Sequence, residues 1–412
     1  MKKRLLPLLL SSMCVPILLP IMSLTAQAQT TETNIASHSS FKNNLDEIQQ
    51  DFYRSLRFED WTQAGLAEIE IKKVLESIHS NSKLRDAENL NLPTFWTYEF
   101  SHAADLLQQQ AQQLKDPEAA AKAYMKASTM YLIASYPNLK RPNELLALDN
   151  AVNNYVKSLQ LAGDNVTLVR LPLADGTTVP GILHLPAQGS NLPAVIWSGG
   201  VDKTLIEHHT SVLKLNAEGY AVLTFDMPGA GLDYKHSLTI GALDSSHQAA
   251  FRYLENNTNI DNNRIGVLGS SGSGPALLEF ALKQPKLKAI VARCSLVDGP
   301  LTNAKLLNFI PTMSVDALIA RLGGDPGDKV YYAKNAANYS LATRGYFDGK
   351  ARINTPLLAI NTHKDPVAMP ADVKKTAALS SQGEAVFFGK AGHCPDSQAA
   401  SDYVINFLTK NI

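Results

Sequence analysis

Residues 264–274 read Arg-Ile-Gly-Val-Leu-Gly-Ser-Ser-Gly-Ser-Gly, and they decide the fold. The apolar run 265–268 has the length and the β-branched residues of a buried strand, and a helical stretch, 275–282, follows the small residues. A serine on such a strand–turn–helix corner projects its hydroxyl from the end of a sheet. Small neighbours let the strand and the helix approach each other closely. This stretch therefore predicts a nucleophile elbow.

Three serines compete for the role of nucleophile in this turn. The spacing from Gly269 favours Ser271, because the pattern Gly-x-Ser-x-Gly then begins at Gly269 and has Ser273 in place of its second glycine. The amide N–H of Gly272 would lie at the start of the helix, where it can stabilise an oxyanion. A phosphate-binding loop is disfavoured, because no lysine follows Gly274.

A nucleophilic serine needs a base, and the base needs a carboxylate that orients it. The run 355–361 reads as a buried strand and Asp365 follows it, while 384–389 reads as the last strand and His393 follows that one. Serine, acid and histidine in this chain order are typical of α/β-hydrolases. Asp298, after an earlier strand, is the alternative acid, and chain order favours Asp365.

A second oxyanion donor is expected in the loop after another predicted strand, 193–198. Gly199, Gly200 and Val201 follow that strand. Glycines let a backbone approach a substrate oxygen closely. The N–H of Gly200 or that of Val201 is therefore predicted to act with the N–H of Gly272.

The N-terminus has the pattern of a targeting segment. Lys2, Lys3 and Arg4 precede an apolar stretch, 5–24, and Ala26-Gln27-Ala28 matches a cleavage site. Residues 1–28 are predicted to be a signal peptide cleaved after Ala28, and residues 29–40 a flexible mature terminus. This predicts a periplasmic or secreted protein without stable membrane insertion. A retained anchor is the alternative, because the apolar stretch is long.

The remaining chain divides by its periodicity into two parts. Residues 41–162 are predicted to form an all-helical cap domain, with helices that include 61–78, 96–114, 117–135 and 143–161. Residues 163–412 alternate strands with helices, which predicts an α/β catalytic domain with a mainly parallel sheet and helices on both faces. The alternation stops at about 300–354, where a helical insertion beside the site is expected.

Composition limits the partners. Lys plus Arg equals Asp plus Glu, at 38 each. This neutrality gives no reason to expect nucleic acid as a partner, so a small-molecule substrate is expected. No Cys/His group has zinc spacing, and neither a metal nor an organic cofactor is predicted. Cys294 and Cys394 remain after cleavage, either as a disulfide or as free thiols. The oligomeric state stays open.

Several segments carry a resemblance to a known family. Together with the elbow, the segments 134–139, 198–203, 225–231 and 321–323 resemble the fermentation-respiration switch protein family of α/β-hydrolases and its relative 2,6-dihydroxypseudooxynicotine hydrolase. The resemblance implies a helical domain ahead of a hydrolase core. Esterase activity, carbon–carbon bond hydrolysis and regulatory binding are all attributed to members.

Together these features predict an exported serine hydrolase that cleaves small carboxylic esters with Ser271, His393 and Asp365. Carbon–carbon hydrolysis of a small diketone would use the same three residues, and peptidase action is a further alternative. A regulatory binding protein on a hydrolase scaffold is disfavoured, because a pure binder has no physical need for all three groups.

Overall fold

One eight-stranded sheet organises this computed structural model, which describes residues 55–78, 92–137 and 139–412. The strands run in the spatial order β1-β2-β4-β3-β5-β6-β7-β8, and β2 pairs antiparallel with both β1 and β4, while all other pairs are parallel. The predicted mainly parallel sheet is thereby confirmed. The strands are β1 (Asn165–Pro172), β2 (Thr178–Leu185), β3 (Leu192–Ser198), β4 (Ala221–Phe225), β5 (Ile260–Ser270), β6 (Ile290–Arg293), β7 (Leu357–Asn361) and β8 (Gly383–Phe387).

Helices precede the sheet and alternate with its strands. Short 3₁₀ turns also occur at Leu205–His208, Gly231–Asp233, Ser271–Ser273, Ala304–Phe309 and Ala336–Tyr339. The α-helices of the described residues are α1 (Ser55–Gln63), α2 (Glu68–Leu75), α3 (Trp96–Gln113), α4 (Pro117–Ser135), α5 (Pro142–Ala162), α6 (His209–Ala217), α7 (Ser245–Glu255), α8 (Gly274–Lys283), α9 (Gly299–Thr302), α10 (Thr312–Arg321), α11 (Lys329–Asn335), α12 (Pro370–Ala377) and α13 (Gln398–Asn411).

Both faces of the sheet are buried. In β3, Ala194 and Ile196 join the core on one face, and Val195 and Trp197 join the core on the other. The first face packs against α7, α8 and α12, and the second packs against α6 and α13. A parallel strand that is covered on both sides has no polar face, so its sequence reads as an unbroken apolar run. This is why the runs at 193–198, 265–268 and 355–361 were readable as strands.

The helices α1 to α5 share a core with the sheet. Trp96 and Phe100 of α3 and Tyr155 of α5 belong to the same buried cluster as Ile182 of β2 and Leu205. The prediction of one helix over 61–78 is wrong, because a turn separates α1 from α2. Gly65 lies there with a φ of 98°, a left-handed conformation that interrupts a helix.

The predicted divisions of the chain fare differently in the structure. The segments 1–28 and 29–40 lie outside the described residues, and the boundary between a cap and a catalytic domain stays a prediction. The expected insertion is helical from α9 to the 3₁₀ turn Ala336–Tyr339, but no helix covers 340–354. Gly345 and Gly349 there have φ values of 76° and 78°, which favour turns. Within the described ranges, no helix is long and apolar enough to cross a membrane.

Candidate active site

The predicted elbow lies where β5 passes into α8. Ser271 follows the last residue of β5 and has a φ of 52°, a left-handed conformation that is strained for a residue with a side chain. A Cβ on Gly269 would lie 2.7 Å from the Ser273 hydroxyl, and a Cβ on Gly274 would lie 2.6 Å from the Ser295 Cβ. Gly269 therefore lets the end of β5 pack closely on the start of α8, and Gly274 lets the start of α8 pack closely on Ser295, which follows β6.

Ser273 replaces the second glycine of the usual elbow pattern without disturbing it. Its side chain is fully buried, and its hydroxyl donates to the backbone carbonyl of Ser270 at 3.0 Å. The close approach that the pattern assigns to its second glycine is made one residue later, at Gly274. The departure from Gly-x-Ser-x-Gly is therefore accommodated locally.

Only one of the three elbow serines contacts a histidine within the described residues. The Ser271 Oγ lies 2.7 Å from the His393 Nε2. The Ser270 hydroxyl is buried without a hydrogen-bond partner in the described part of the chain, and the Ser273 hydroxyl is bound to a carbonyl. Ser271, the serine that the spacing from Gly269 favours, is thus the one that lies next to His393.

A carboxylate completes a hydrogen-bonded chain of three residues. His393 lies in the loop after β8, and its Nδ1 is 2.8 Å from the Oδ2 of Asp365. The other Asp365 oxygen accepts the N–H of Val367 at 2.7 Å. Burial raises the pKa of Asp365, but the neighbouring His393 and the hydrogen bonds to the carboxylate outweigh burial, so its pKa lies below the ordinary value. Asp365 is therefore held ionised.

The alternative acid, Asp298, lies in a different environment. Its carboxylate accepts the Ser340 hydroxyl at 2.7 Å and the Thr302 hydroxyl at 3.2 Å, and Lys375 lies 3.8 Å from it. Asp298 precedes α9 and organises the start of the insertion. The structure joins Asp365, and not Asp298, to His393.

The glycine loop after β3 packs directly on the elbow. A Cβ on Gly200 would lie 3.1 Å from the Ser271 Cβ, and a Cβ on Gly272 would lie 2.3 Å from the Val201 Cγ1. The backbone N of Val201 is 3.2 Å from that same Gly272 position. The three predicted oxyanion residues are therefore adjacent to Ser271, and their glycines make this approach possible.

A cavity of about 580 Å³ opens over these residues. Residues of the N-terminal helices and of the insertion line it together with Ser271 and His393. The cavity wall also contains polar groups, among them Lys203 and Asp60 of α1, which form an ion pair. The apolar part of the lining includes Trp61, Met125, Leu132, Ile206, Leu296, Phe309, Ile310, Leu318 and Val367.

The two cysteines form a disulfide beside the histidine. Cys294 follows β6 and Cys394 follows His393, and the Cα atoms of the joined pair are 4.9 Å apart. The His393 side chain lies close enough to share a metal site with both sulfurs. Since the sulfurs are bonded to each other and both His393 nitrogens have hydrogen-bond partners, these groups do not fit a metal ion.

Sequence reasoning assigned no role to two buried charged residues near the loop. Asp202 accepts hydrogen bonds from the Ser314 hydroxyl at 2.5 Å and from the Tyr136 hydroxyl at 3.1 Å. Arg321, at the end of α10, donates to the backbone carbonyl of Gly200. Both residues fall in segments quoted for the family resemblance, but their positions, far apart in the sequence, do not indicate that both lie beside the glycine loop.

Comparison with solved structures defines the fold class. The crystal structure of the 2,6-dihydroxy-pseudo-oxynicotine hydrolase aligns with a TM-score of 0.67 and 19% identity, over 86% of this chain and 97% of that one. AbyA5 aligns with a TM-score of 0.62 and 18% identity, over 85% of this chain and 90% of its own. The fold is that of an α/β-hydrolase, as predicted.

Sequence comparison gives the family. The model described as "Esterase FrsA-like" matches residues 23–411. Esterase FrsA of Yersinia pestis (strain Pestoides F) is 29% identical over 347 residues, which cover 81% of this chain and 82% of the relative, and Esterase FrsA of Yersinia pseudotuberculosis (serotype O:1b) matches equally. The chain belongs to the FrsA-like esterase family. This confirms the predicted resemblance, and the protein is a hydrolase.

Proposed function

We propose that this hydrolase cleaves small carboxylic esters by acyl transfer to Ser271. The observation that carries the proposal is the hydrogen-bonded chain from Ser271 through His393 to Asp365, which ends in the cavity. His393 Nε2 takes the hydroxyl proton while Ser271 Oγ bonds to the ester carbonyl carbon. The carbon–oxygen bond to the alkoxy group then breaks, and His393 returns the proton to the departing alcohol.

Water completes the cycle through the same groups. His393 removes a proton from water as its oxygen attacks the acyl carbon. The bond to Ser271 breaks, the serine recovers the proton, and the carboxylic acid leaves. Asp365 holds the Nδ1–H tautomer of His393 and stabilises the imidazolium that forms in each half of the reaction. The depressed pKa of Asp365 supports this assignment, because an ionised carboxylate is required.

The negative charge on the carbonyl oxygen requires donors that are already in place. The N–H of Gly272 and the N–H of Gly200 or Val201 are the proposed donors. Their support is the close packing of the 199–201 loop on Ser271 and Gly272. Donors that are fixed before the reaction stabilise the developing charge without reorganising at that moment.

The cavity supports a small substrate that has an apolar part. Its volume of about 580 Å³ is within the range of small-molecule sites, and aromatic and aliphatic side chains line it together with polar and charged groups. A peptidase would need a channel that admits a polymer on both sides of the scissile bond. The wall formed by Trp61, Met125 and Leu132 of the N-terminal helices favours a compact ester instead.

A substrate panel tests the reaction type. Purified protein is assayed with p-nitrophenyl esters of increasing acyl length, chromogenic peptides and aromatic β-diketones, and Ser271→Ala is the negative control. Ser270→Ala and Ser273→Ala are matched controls on the same turn. We expect turnover of short esters that disappears only in Ser271→Ala. Turnover of diketones without esters would move the protein to carbon–carbon hydrolysis, and turnover of peptides would contradict the compact-substrate proposal.

Export of the mature chain is a separate part of the proposal. The charged and apolar pattern of residues 1–28 supports it, and so does the disulfide between Cys294 and Cys394, because such bonds persist in oxidising compartments. We expect cleavage after Ala28 and a product that starts at Gln29. N-terminal sequencing of protein recovered from the periplasm or the medium checks this, and an uncleaved chain in the membrane fraction would contradict it.

A further inference from the structure

One helix of the insertion holds the glycine loop at two points. Arg321 of α10 donates through its Nη1 to the backbone carbonyl of Gly200, and Ser314 of the same helix donates to the Asp202 carboxylate at 2.5 Å. The two side chains are about two helical turns apart and therefore share one side of α10. The loop that follows β3 is thus attached to an element more than a hundred residues away in sequence.

The hydrogen bond from Arg321 to the Gly200 carbonyl also fixes the N–H group of Val201. The C=O of Gly200 and the N–H of Val201 belong to one planar trans peptide unit, so they point in opposite directions and rotate together. The Val201 nitrogen lies on the elbow side, because a Cβ on Gly272 would be 3.2 Å from it. A donor that holds the oxygen therefore sets the direction of the N–H.

We propose that Arg321 is a positioning residue that aims the N–H of Val201 at the carbonyl oxygen of the reacting ester. The inference rests on the proposed acyl transfer and adds to it a choice between the two candidate donors. Val201 supplies the second oxyanion N–H, and Gly200 supplies the carbonyl through which that N–H is held. The N–H of Gly200 belongs to the preceding peptide unit, whereas Arg321 donates to the carbonyl of the following one.

The surroundings of Arg321 keep its guanidinium in place. Its side chain is buried, and its charge acts on the buried carboxylate of Asp226, which accepts the N–H groups of Leu205 and Leu232 at 2.8 Å each. Gly229 packs on the Arg321 backbone, since a Cβ there would lie 3.4 Å from the Arg321 carbonyl oxygen. The turn 226–231 therefore packs on Arg321 and helps to fix its position. A buried, charged donor that is fixed before the reaction is preorganised.

Two substitutions at Arg321 and one elsewhere test the proposal. Arg321→Met keeps the length of the side chain and removes the donors, while Arg321→Lys keeps the charge and loses the planar fork. Arg344→Met is the matched control, because Arg344 is a partly buried arginine that is paired with Glu279 at 2.6 Å and lies apart from the cavity lining. Each variant is measured for kcat, KM and thermal unfolding.

Each variant is also measured for its affinity for two ligands. One is a trifluoromethyl ketone, whose adduct with Ser271 places a charged oxygen among the oxyanion donors. The other is the product alcohol, which forms no adduct.

A positioning role predicts losses confined to the transition state. We expect Arg321→Met to lower kcat by about 100-fold, within the range seen for removal of one oxyanion donor, while KM changes by less than about threefold. Affinity for the ketone should fall by a similar factor, and affinity for the alcohol should not change. Arg321→Lys should lie between wild type and Arg321→Met. Arg344→Met should unfold at a lower temperature but keep its kcat and ketone affinity.

The contrary results are distinct. Wild-type kcat and ketone affinity in Arg321→Met would overturn the proposal. Equal loss of ketone and alcohol affinity would also overturn it, because that is the signature of a merely structural residue. If Arg321→Met does not fold, Arg321→Lys decides by the same ratio of ketone to alcohol affinity. Wild-type protein without Ser271-dependent turnover would overturn the proposed function, and this inference with it.

Discussion

Ser271 and Ser198 each share a hydrogen bond with a histidine, and both lie at the carboxyl end of a neighbouring central strand. The Ser271 Oγ is 2.7 Å from His393 Nε2, and the Ser198 Oγ is 2.9 Å from His247 Nε2. Their surroundings differ. Ser198 and His247 are fully buried, whereas Ser271 and His393 line the cavity. A serine–histidine hydrogen bond alone therefore does not distinguish the proposed nucleophile from a serine that is buried in the core.

The second nitrogen of each histidine makes the difference chemical. His393 Nδ1 faces the ionised Asp365, whereas His247 Nδ1 is buried without a hydrogen-bond partner in the described part of the chain. Burial lowers the pKa of His247 to about 4. An imidazole in that environment holds a proton taken from serine poorly, because burial disfavours its charged form by more than the nearby Asp244 carboxylate favours it. The Ser198–His247 pair is therefore a packing feature between β3 and α7.

The largest expected effect separates the two histidines. His393→Gln should lower kcat by about 10⁶-fold, the loss typical of removing a triad histidine, with little change in the unfolding temperature. His247→Gln should do the opposite, destabilising the fold by about 1–3 kcal/mol while kcat of the folded protein stays near wild type. Steady-state kinetics and thermal unfolding of both variants check this. A catalytic loss of equal size in His247→Gln would erase the distinction between the pairs.

The carboxylate that only one pair possesses gives the next effect. Asp365→Asn should lower kcat by about 10⁴-fold, because the amide favours the wrong tautomer of His393. Asp298→Asn is the matched control, since Asp298 is hydrogen-bonded to Ser340 and not to histidine. Its kcat should stay near wild type. If Asp298→Asn lost its activity while Asp365→Asn kept it, the carboxylate that orients His393 would be Asp298, which follows the earlier strand.

The support of each histidine is also different, since His247 lies on a helix and His393 in a loop next to a disulfide. The disulfide joins residues 100 apart in sequence. Replacing both Cys294 and Cys394 by alanine should cost about 2–5 kcal/mol of stability, because the unfolded chain is no longer constrained. We also expect kcat to fall, since the His393 loop loses its attachment to the end of β6. Denaturant unfolding and kinetics of the double variant measure both, and unchanged values would show that the loop is held without the disulfide.

The smallest expected effect is on the pH dependence of stability. Between about pH 6.5 and 4 the unfolded chain binds up to one more proton at His247 than the folded chain, so this residue makes stability fall as pH decreases. Burial raises the pKa values of Asp226 and Glu144 to about 7, and these carboxyls act in the opposite sense. The comparison of wild type with His247→Gln isolates the histidine. The variant should lose less stability over that range, and parallel curves would contradict the assignment.

Much of the site was readable from sequence because each part follows its own strand. Ser271, Asp365 and His393 stand after apolar runs whose order along the chain was recognisable, and parallel strands bring their carboxyl ends to one edge of the sheet. The strand count alone thus placed three distant residues together. The same logic placed Gly200 and Val201 beside the elbow.

The contacts that the sequence did not predict depend on side chains meeting across the fold. The sequence around residues 198 and 247 does not predict that they form a buried serine–histidine pair. The hydrogen bond from Arg321 to the Gly200 carbonyl depends on where an insertion helix packs. The pairing of Cys294 with Cys394 was undecided, because spacing does not report how close two loops come. Periodicity specifies elements and their order, while such contacts follow from packing.

Covalent labelling of the two serines tests the central claim most directly. Wild type, Ser271→Ala and Ser198→Ala are treated with a fluorophosphonate, which loses fluoride to an activated serine, and the modified peptide is identified by mass spectrometry. We expect one adduct, on Ser271, in wild type and in Ser198→Ala, and none in Ser271→Ala. An adduct that persists in Ser271→Ala, or that maps to another serine in the wild type, would contradict the account.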